Sequence, residues 1–308
     1  MAPVVIRSVD AHVHFWNRAT DPQPWIDPVT MAAIDRDFAH GDLERMLDST
    51  GVDVAVVVQS INSAAETRRL LTQAGPRVAG VVGWADLTAD VAAQLDQLAP
   101  GARRRLVGIR HLVHVDADPG WLGRPDVGTA LDRLAARDLG FDLVVRSWQL
   151  PLAATVAAAH PGVRFVVDHL GGIAEADDDD GWEAGLRELA ARPNTCAKIS
   201  GLAGLVSGGA EHPAAAGRAE HPAAAGRAEH PAAAGRDGAR LRRAVGVALE
   251  AFGPERLMYG SDWPLAELGA GPVAWRAAVD ELVGELSPAE RQAIMSGTAS
   301  AFYRLGTS

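Results

Sequence analysis

Eight short apolar runs rich in Val, Ile and Leu recur along the chain, with amphipathic stretches between them. They cover residues 4–14, 52–60, 78–87, 106–113, 141–148, 163–171, 195–202 and 256–264. Several are apolar almost throughout, as in Val52-Asp53-Val54-Ala55-Val56-Val57-Val58. That pattern suits parallel strands covered on both faces. The stretches between them place apolar residues at helical spacing: 42–49 (Leu43, Met46 and Leu47), 64–74, 91–98, 127–137, 152–159, 182–191, 241–252 and 273–286. Strand and helix alternating eight times predicts an α/β fold, a (β/α)8 barrel formed as one domain over 1–308. A doubly wound open sheet is the structural alternative.

Two segments break the rhythm. Residues 20–37 contain Pro22, Pro24, Trp25 and Pro28 and are expected to make an excursion after the first strand. Residues 207–238 are of low complexity, with Ala-Glu-His-Pro-Ala-Ala-Ala-Gly-Arg written three times from Ala210 to Arg236. This composition cannot build a core, and each copy holds a Pro and a Gly that interrupt a helix. An inserted loop after the seventh strand is expected, with His212, His221 and His230 as loop histidines rather than metal ligands.

Polar and aromatic residues collect at one end of the apolar runs. The first ends in Asp10-Ala11-His12-Val13-His14-Phe15-Trp16, where a strand's period of two turns both histidines to one side. The second ends in Gln59, the third in Trp84 and Asp86, the fourth in Arg110 and His111, the fifth in Arg146 and Trp148. The sixth ends in Asp168 and His169, the seventh in Lys198 and Ser200, the eighth in Ser261-Asp262-Trp263-Pro264. In a (β/α)8 barrel the chemistry sits at the carboxyl ends of the strands, so this convergence favours a closed barrel with one central site. Asp262 there could ligate a metal, act as a base for water, or cap the next helix. His12, His14 and His169 could hold a metal or hydrogen-bond to an oxygen. Arg110 could anchor an anion or pair with Asp86 or Asp168, and Lys198 could be a salt-bridge partner. Trp16, Trp84, Trp148 and Trp263 fall at strand ends, which suits a ring-shaped ligand or ordinary packing. His114, past the fourth run, reads as a surface residue, and His40 and His160 as helix-end residues.

The formal net charge is -10 and no basic stripe is present, which argues against nucleic acid or an anionic membrane as partner. The single cysteine, Cys196, excludes an internal disulfide, and neither a signal peptide nor a spanning run is visible. A cytoplasmic protein acting on a small molecule is expected.

The motifs Asp10-Ala11-His12-Val13-His14-Phe15-Trp16, Val81-Val82-Gly83-Trp84, Gly108-Ile109-Arg110-His111, Asp168-His169-Leu170-Gly171, Lys198-Ile199-Ser200-Gly201-Leu202 and Gly260-Ser261-Asp262-Trp263-Pro264 resemble, in order, those of the amidohydrolase-related family. Within it the likeness is to the hydrolases of sugar lactones and dicarboxylate lactones. The resemblance implies a (β/α)8 barrel that hydrolyses a cyclic ester. Asp262 would activate water, and His12, His14 and His169 would bind or polarise the carbonyl end of the substrate. Arg110 and His111 would contact substrate, with Trp16, Trp84, Trp148, Trp263, Gln59 and Lys198 around them. It also implies either one divalent ion on His12, His14, His169 and Asp262, Zn²⁺ first, or no metal. The fourth and fifth strands lack the extra ligands of two-metal relatives, and Gly171-Gly172-Ile173 stands where relatives often have Gly-Lys-Pro, which weakens the case for dicarboxylates. The family also contains Zn²⁺-dependent decarboxylases of aromatic or muconate-type acids, which stand as the alternative enzyme. A non-catalytic ligand-binding barrel is the alternative outside catalysis.

Overall fold

The computed structural model describes residues 7–98, 100–206 and 231–306. Eight parallel strands form one sheet in chain order: β1 (Val9–Val13), β2 (Val54–Val58), β3 (Val78–Gly83), β4 (Leu106–His111), β5 (Gly140–Leu143), β6 (Phe165–Val167), β7 (Thr195–Ile199) and β8 (Leu257–Tyr259). Seven lie inside their predicted runs and β5 starts one residue ahead of its run, at Gly140; all eight are shorter than predicted, because the polar ends of the runs turn out of the sheet. The sheet closes where the chain beyond β8 meets β1. His14 N donates to the Trp263 carbonyl at 2.8 Å, and Asp262 N to the His12 carbonyl at 2.9 Å. This is the (β/α)8 barrel, with helices such as His40–Thr50, Pro125–Ala135 and Asp179–Ala190 packed outside.

β1 is not the plain alternating strand of the sequence pattern. Asp10 pairs with Ala55 and Val13 with Val57, so β1 holds one residue more than β2 at the Ala11–His12 step. Such a bulge re-aims side chains beside a site. Val9 and Ala11 join Val56, Val58, Val82, Val166 and Met258 in one buried cluster. Residues from strands so far apart in the sheet can meet only inside the barrel. The cluster is capped at the amino end by Phe302 and Tyr303 of the helix Thr298–Tyr303, whose Phe302 ring lies against Gly140 at the start of β5. This C-terminal segment, with the helix Pro288–Gln292 before it, was assigned no element from the pattern. The helix Pro100–Arg105 was also missed.

Residues 20–37 do leave the barrel after β1. They return by a bridge between Trp16 and Phe38, with a single 3-10 turn at Ala32–Ile34. Most of the repeat segment lies outside the described residues, so the expectation of a loop there is untested over 207–230. Its last part corrects the expected loop boundary. Among the described residues helix covers Pro231–Phe252, through the third Ala-Ala-Ala-Gly. One interior glycine costs a helix only about 1 kcal/mol against alanine. Among the described residues no helix is long and apolar enough to cross a membrane.

Candidate active site

The bulge in β1 and the closure against β8 bring His12, His14 and Asp262 together. Their ligand-type atoms lie within 4.8 Å of one another, and so do those of His12, Asp168 and His169. The His12 ring centroid is 4.9 Å from that of His14 and 4.7 Å from that of His169. Asp262 and His169 both have backbone in the left-handed region, at φ 58 and 55. For residues with a Cβ that conformation carries strain of order 1–3 kcal/mol, and its recurrence at two strand ends marks a site held in place by its surroundings. Gly201 (φ +67) is what lets His169 sit there, since a Cβ at 201 would fall 2.4 Å from His169 Nδ1.

His14 Nδ1 is 2.8 Å from the Val58 carbonyl, which can only accept, so Nδ1 carries the proton. Nε2 lies 3.3 Å from Asp262 Oδ1. Burial pushes the Asp262 carboxyl up, but the fields of His169, His14 and His12 and the His14 contact outweigh it and bring it down to about 2. Burial lowers His12 and His14 as well. His169 is half-buried, the most open of the four, and its Nδ1 meets Ser200 Oγ at 3.0 Å.

Behind these groups lies a buried polar layer. Arg110 donates from Nη1 to Asp168 Oδ2 at 3.0 Å and from Nη2 to the Gln59 carbonyl, while Gln59 Nε2 donates to the Arg110 carbonyl at 3.0 Å. Of the two pairings open to Arg110, the one with Asp168 is formed. Lys198 is fully buried and reaches Asp142, Asp168 and His12. Asp168 is held well below the usual carboxylate range: burial raises it, but Lys198, His12 and Arg110 lower it by more.

The aromatic residues do not form one collar. Trp16 is buried, donating from Nε1 to the Arg36 carbonyl at 2.8 Å, and Trp263 is buried against Phe38. His111 stacks on Trp121 with centroids 3.7 Å apart, takes a hydrogen bond from Trp84 Nε1 at 3.1 Å on Nδ1, and gives one to Asp116 at 2.7 Å from Nε2. Both its nitrogens are thereby engaged. Trp148 stands apart, 63% exposed. His114 corrects its surface reading. It is half-buried with Nδ1 unpartnered among the described residues, and burial with the charges of Arg110 and Arg146 lowers it to about 3. Asp142 and Tyr303 were missed altogether.

The family model described as amidohydrolase matches residues 9–305. An L-fucono-1,5-lactonase of Burkholderia ambifaria is 35% identical, the alignment covering 96% of this chain and 95% of that protein. One of Burkholderia multivorans is 32% identical over 96% of each. A crystal structure of an amidohydrolase from Burkholderia multivorans with bound zinc superposes with a TM-score of 0.81 at 32% identity, covering 97% of this chain and 99% of that one. A putative 2-pyrone-4,6-dicarboxylic acid hydrolase of Pseudomonas putida shares the fold, with a TM-score of 0.71 at 20% identity over 99% of this chain and all of that one. With nearly its whole length matched, this chain belongs to the amidohydrolase family.

Proposed function

We propose that this protein is a hydrolase that opens a sugar-acid lactone by attack of water on the ring carbonyl. The observation that carries the reading is the buried cluster of His12, His14, His169 and Asp262 around one ionised carboxylate. Two relatives of more than 30% identity named as lactonases support it. Asp262 accepts the proton of the attacking water, with His14 as its immediate neighbour at 3.3 Å. His169, the most open imidazole, is placed to hydrogen-bond the carbonyl oxygen as negative charge develops there. The ring oxygen leaves as an alcohol after protonation. Arg110 braces Asp168 and through it the base of the cluster, and its three near neighbours leave little of it for direct contact with substrate.

The donor set fits a single divalent cation. His14 Nε2 lies 3.3 Å and His12 Nε2 3.6 Å from Asp262 Oδ1, three ligand-type atoms converging on one point. Four buried carboxyls (Asp10, Asp142, Asp168 and Asp262) stand against two cations (Lys198 and Arg110), an excess of acidic groups. A cation or a shared proton would balance it. His12, His14 and Asp262 would hold such an ion, with His169 adjacent, and it would supply Lewis-acid polarisation of the carbonyl. Zn²⁺ is the first candidate, from the donor types and the zinc of the crystallised relative. One ion is favoured over two, because Asp168 already lies between Lys198 and Arg110.

The test is proton release from a panel of sugar 1,4- and 1,5-lactones, with the protein as purified, after chelation, and with Zn²⁺ restored. Turnover of at least one lactone is expected. No turnover on any lactone, or release of CO₂ from aromatic acids in its place, overturns the reading.

A further inference from the structure

Arg110, Arg146 and Lys198 are the cations at the carboxyl ends of the strands. Arg110 and Lys198 are buried and engaged by Asp168 and Asp142. Arg146 is half-buried, with 27% of its side chain open to solvent. Its direction follows from β5. Asp142 points into the barrel, where it meets Lys198, and Val145 packs outward into the core under the helices. The backbone at Arg146 is still extended, at φ -78 and ψ 156, so a period of two puts Arg146 on the inner side with Asp142. Its charge, with those of Arg110 and His169, bears on the His114 ring. Arg146 therefore stands at the mouth of the barrel, beside the candidate site.

A carboxylate already occupies that guanidinium. Glu175 Oε2 accepts from Arg146 Nη1, and Arg146 Nε donates to the His114 carbonyl at 3.4 Å. Nη2 has no hydrogen-bond partner among the described residues. Glu175 is delivered there by the chain that follows β6. At Gly172 (φ +77) that chain runs so close to the end of β5 that a Cβ would lie 3.0 Å from the Val145 carbonyl oxygen and 3.6 Å from Arg146 Cα. The turn Ile173–Glu175 comes next and sets the carboxylate against the arginine. Glu175 is exposed, and an ion pair so open to water adds little to stability. Its effect on the field at the mouth is larger. It cancels the strand-end cation best placed to meet an anion, in front of the ionised carboxylate of Asp262.

We infer that Glu175 is a specificity-determining residue: by occupying Arg146 it makes the mouth of the site unfavourable to anions and selects lactones that carry no carboxylate. The inference names the substrate class of the proposed hydrolase and rests on that reading for its kinetic arm alone. A carboxylate on the substrate would have to displace Glu175 from the guanidinium, so one charge-assisted bond would be lost for each one made.

The experiment compares D-glucono-1,4-lactone with D-glucaro-1,4-lactone, which differ only in an alcohol or a carboxylate at the sixth carbon. The wild type is expected to have the higher kcat/KM on the neutral lactone. In Glu175→Gln the ratio of the two values, acidic over neutral, should rise about tenfold. The gain should shrink as salt is raised, and it should vanish when Glu175→Gln is combined with Arg146→Gln. The second arm is calorimetric titration of glutarate into the same proteins as purified. Glu175→Gln should bind glutarate about tenfold more tightly than wild type, and the double variant no more tightly than wild type. A ratio in Glu175→Gln within about twofold of wild type overturns the inference, and so does a gain that survives the loss of Arg146. If neither lactone is a substrate, glutarate decides alone: tighter binding in Glu175→Gln sustains the inference, and equal titrations, or none in any of the proteins, overturn it. The lactonase reading falls only if the whole lactone panel is inert, so the two failures are told apart.

Discussion

At the residue scale, the candidate chemistry turns on a carboxylate kept ionised inside an apolar barrel. Burial opposes the charge of Asp262 and the imidazoles around it win, leaving it at about 2. Such a group is a weak base, and one that is ionised at neutral pH. Asp262→Asn keeps the shape and removes the charge. The expected result is a kcat lower by about 10²–10⁴-fold with the circular dichroism spectrum unchanged. Turnover near wild type would move the base elsewhere. His12, His14, His169 and Asp262 were readable as candidates because each ends an apolar run, where a polar residue needs a reason. Asp142 was hidden inside Phe141-Asp142-Leu143, and Tyr303 contacts it across 161 positions. A signal did exist. A lone aspartate and a lone lysine, each mid-strand between apolar neighbours, must find partners when buried, and these two find each other.

At the element scale, the decisive feature is the seam between β1 and β8. Asp10 Oδ1 accepts from His12 N at 3.1 Å and from Ser261 N at 2.9 Å, so one carboxylate pins the two segments that carry His12 and Asp262. The strands approach closely at Gly260, where a Cβ would lie 2.8 Å from His12 Cβ and 3.1 Å from Ser200 Cβ. Both neighbours are rooted in backbone and cannot swing aside. Gly260→Ala should therefore displace His12, lowering kcat about tenfold or more and stability by about 1–3 kcal/mol. Steady-state kinetics and a urea melt check this, and an alanine variant with wild-type kcat would show that the seam tolerates a shift. The alternation of runs made the eight strands legible. The bulge in β1 was not, because an extra residue leaves no trace in hydrophobic pattern and follows only from pairing with β2.

At the scale of the whole molecule, several buried carboxyls tie stability to pH. Burial raises Asp10 and Asp142 to about 6 and Glu66 to about 7. Glu66 is the one farthest from the candidate chemistry, clamping the loop after β2 through Ser60 N at 2.9 Å and Ile61 N at 3.1 Å. A carboxyl whose pKa rises on folding holds its proton longer in the folded chain. Its contribution is full below the unfolded value, 4.5 for glutamate, and is lost as pH rises through about 7. Asp262 has the opposite sign, with a contribution present above its unfolded value and lost as pH falls toward about 2. Glu66→Gln is expected to flatten the decline in Tm between about pH 5 and about pH 8, as read from thermal melts at each pH. A variant with the wild-type slope would place that dependence on other groups. The barrel itself was legible at this scale because its repeat is regular, whereas the closing C-terminal segment has no strand–helix rhythm to reveal it.

The same C-terminal segment has a consequence for how the protein comes into being. A ribosome makes Asp262 some 250 residues after His12, and Tyr303 some 40 residues later still. No nascent intermediate can assemble the cluster or shield Asp142, however many strands have already paired. Until the segment that closes the barrel has been made, the half-built sheet exposes an open edge beside unpaired buried-type charges, the state in which chaperones would be most needed. Catalysis in this chain therefore waits on groups that synthesis separates by almost the whole barrel.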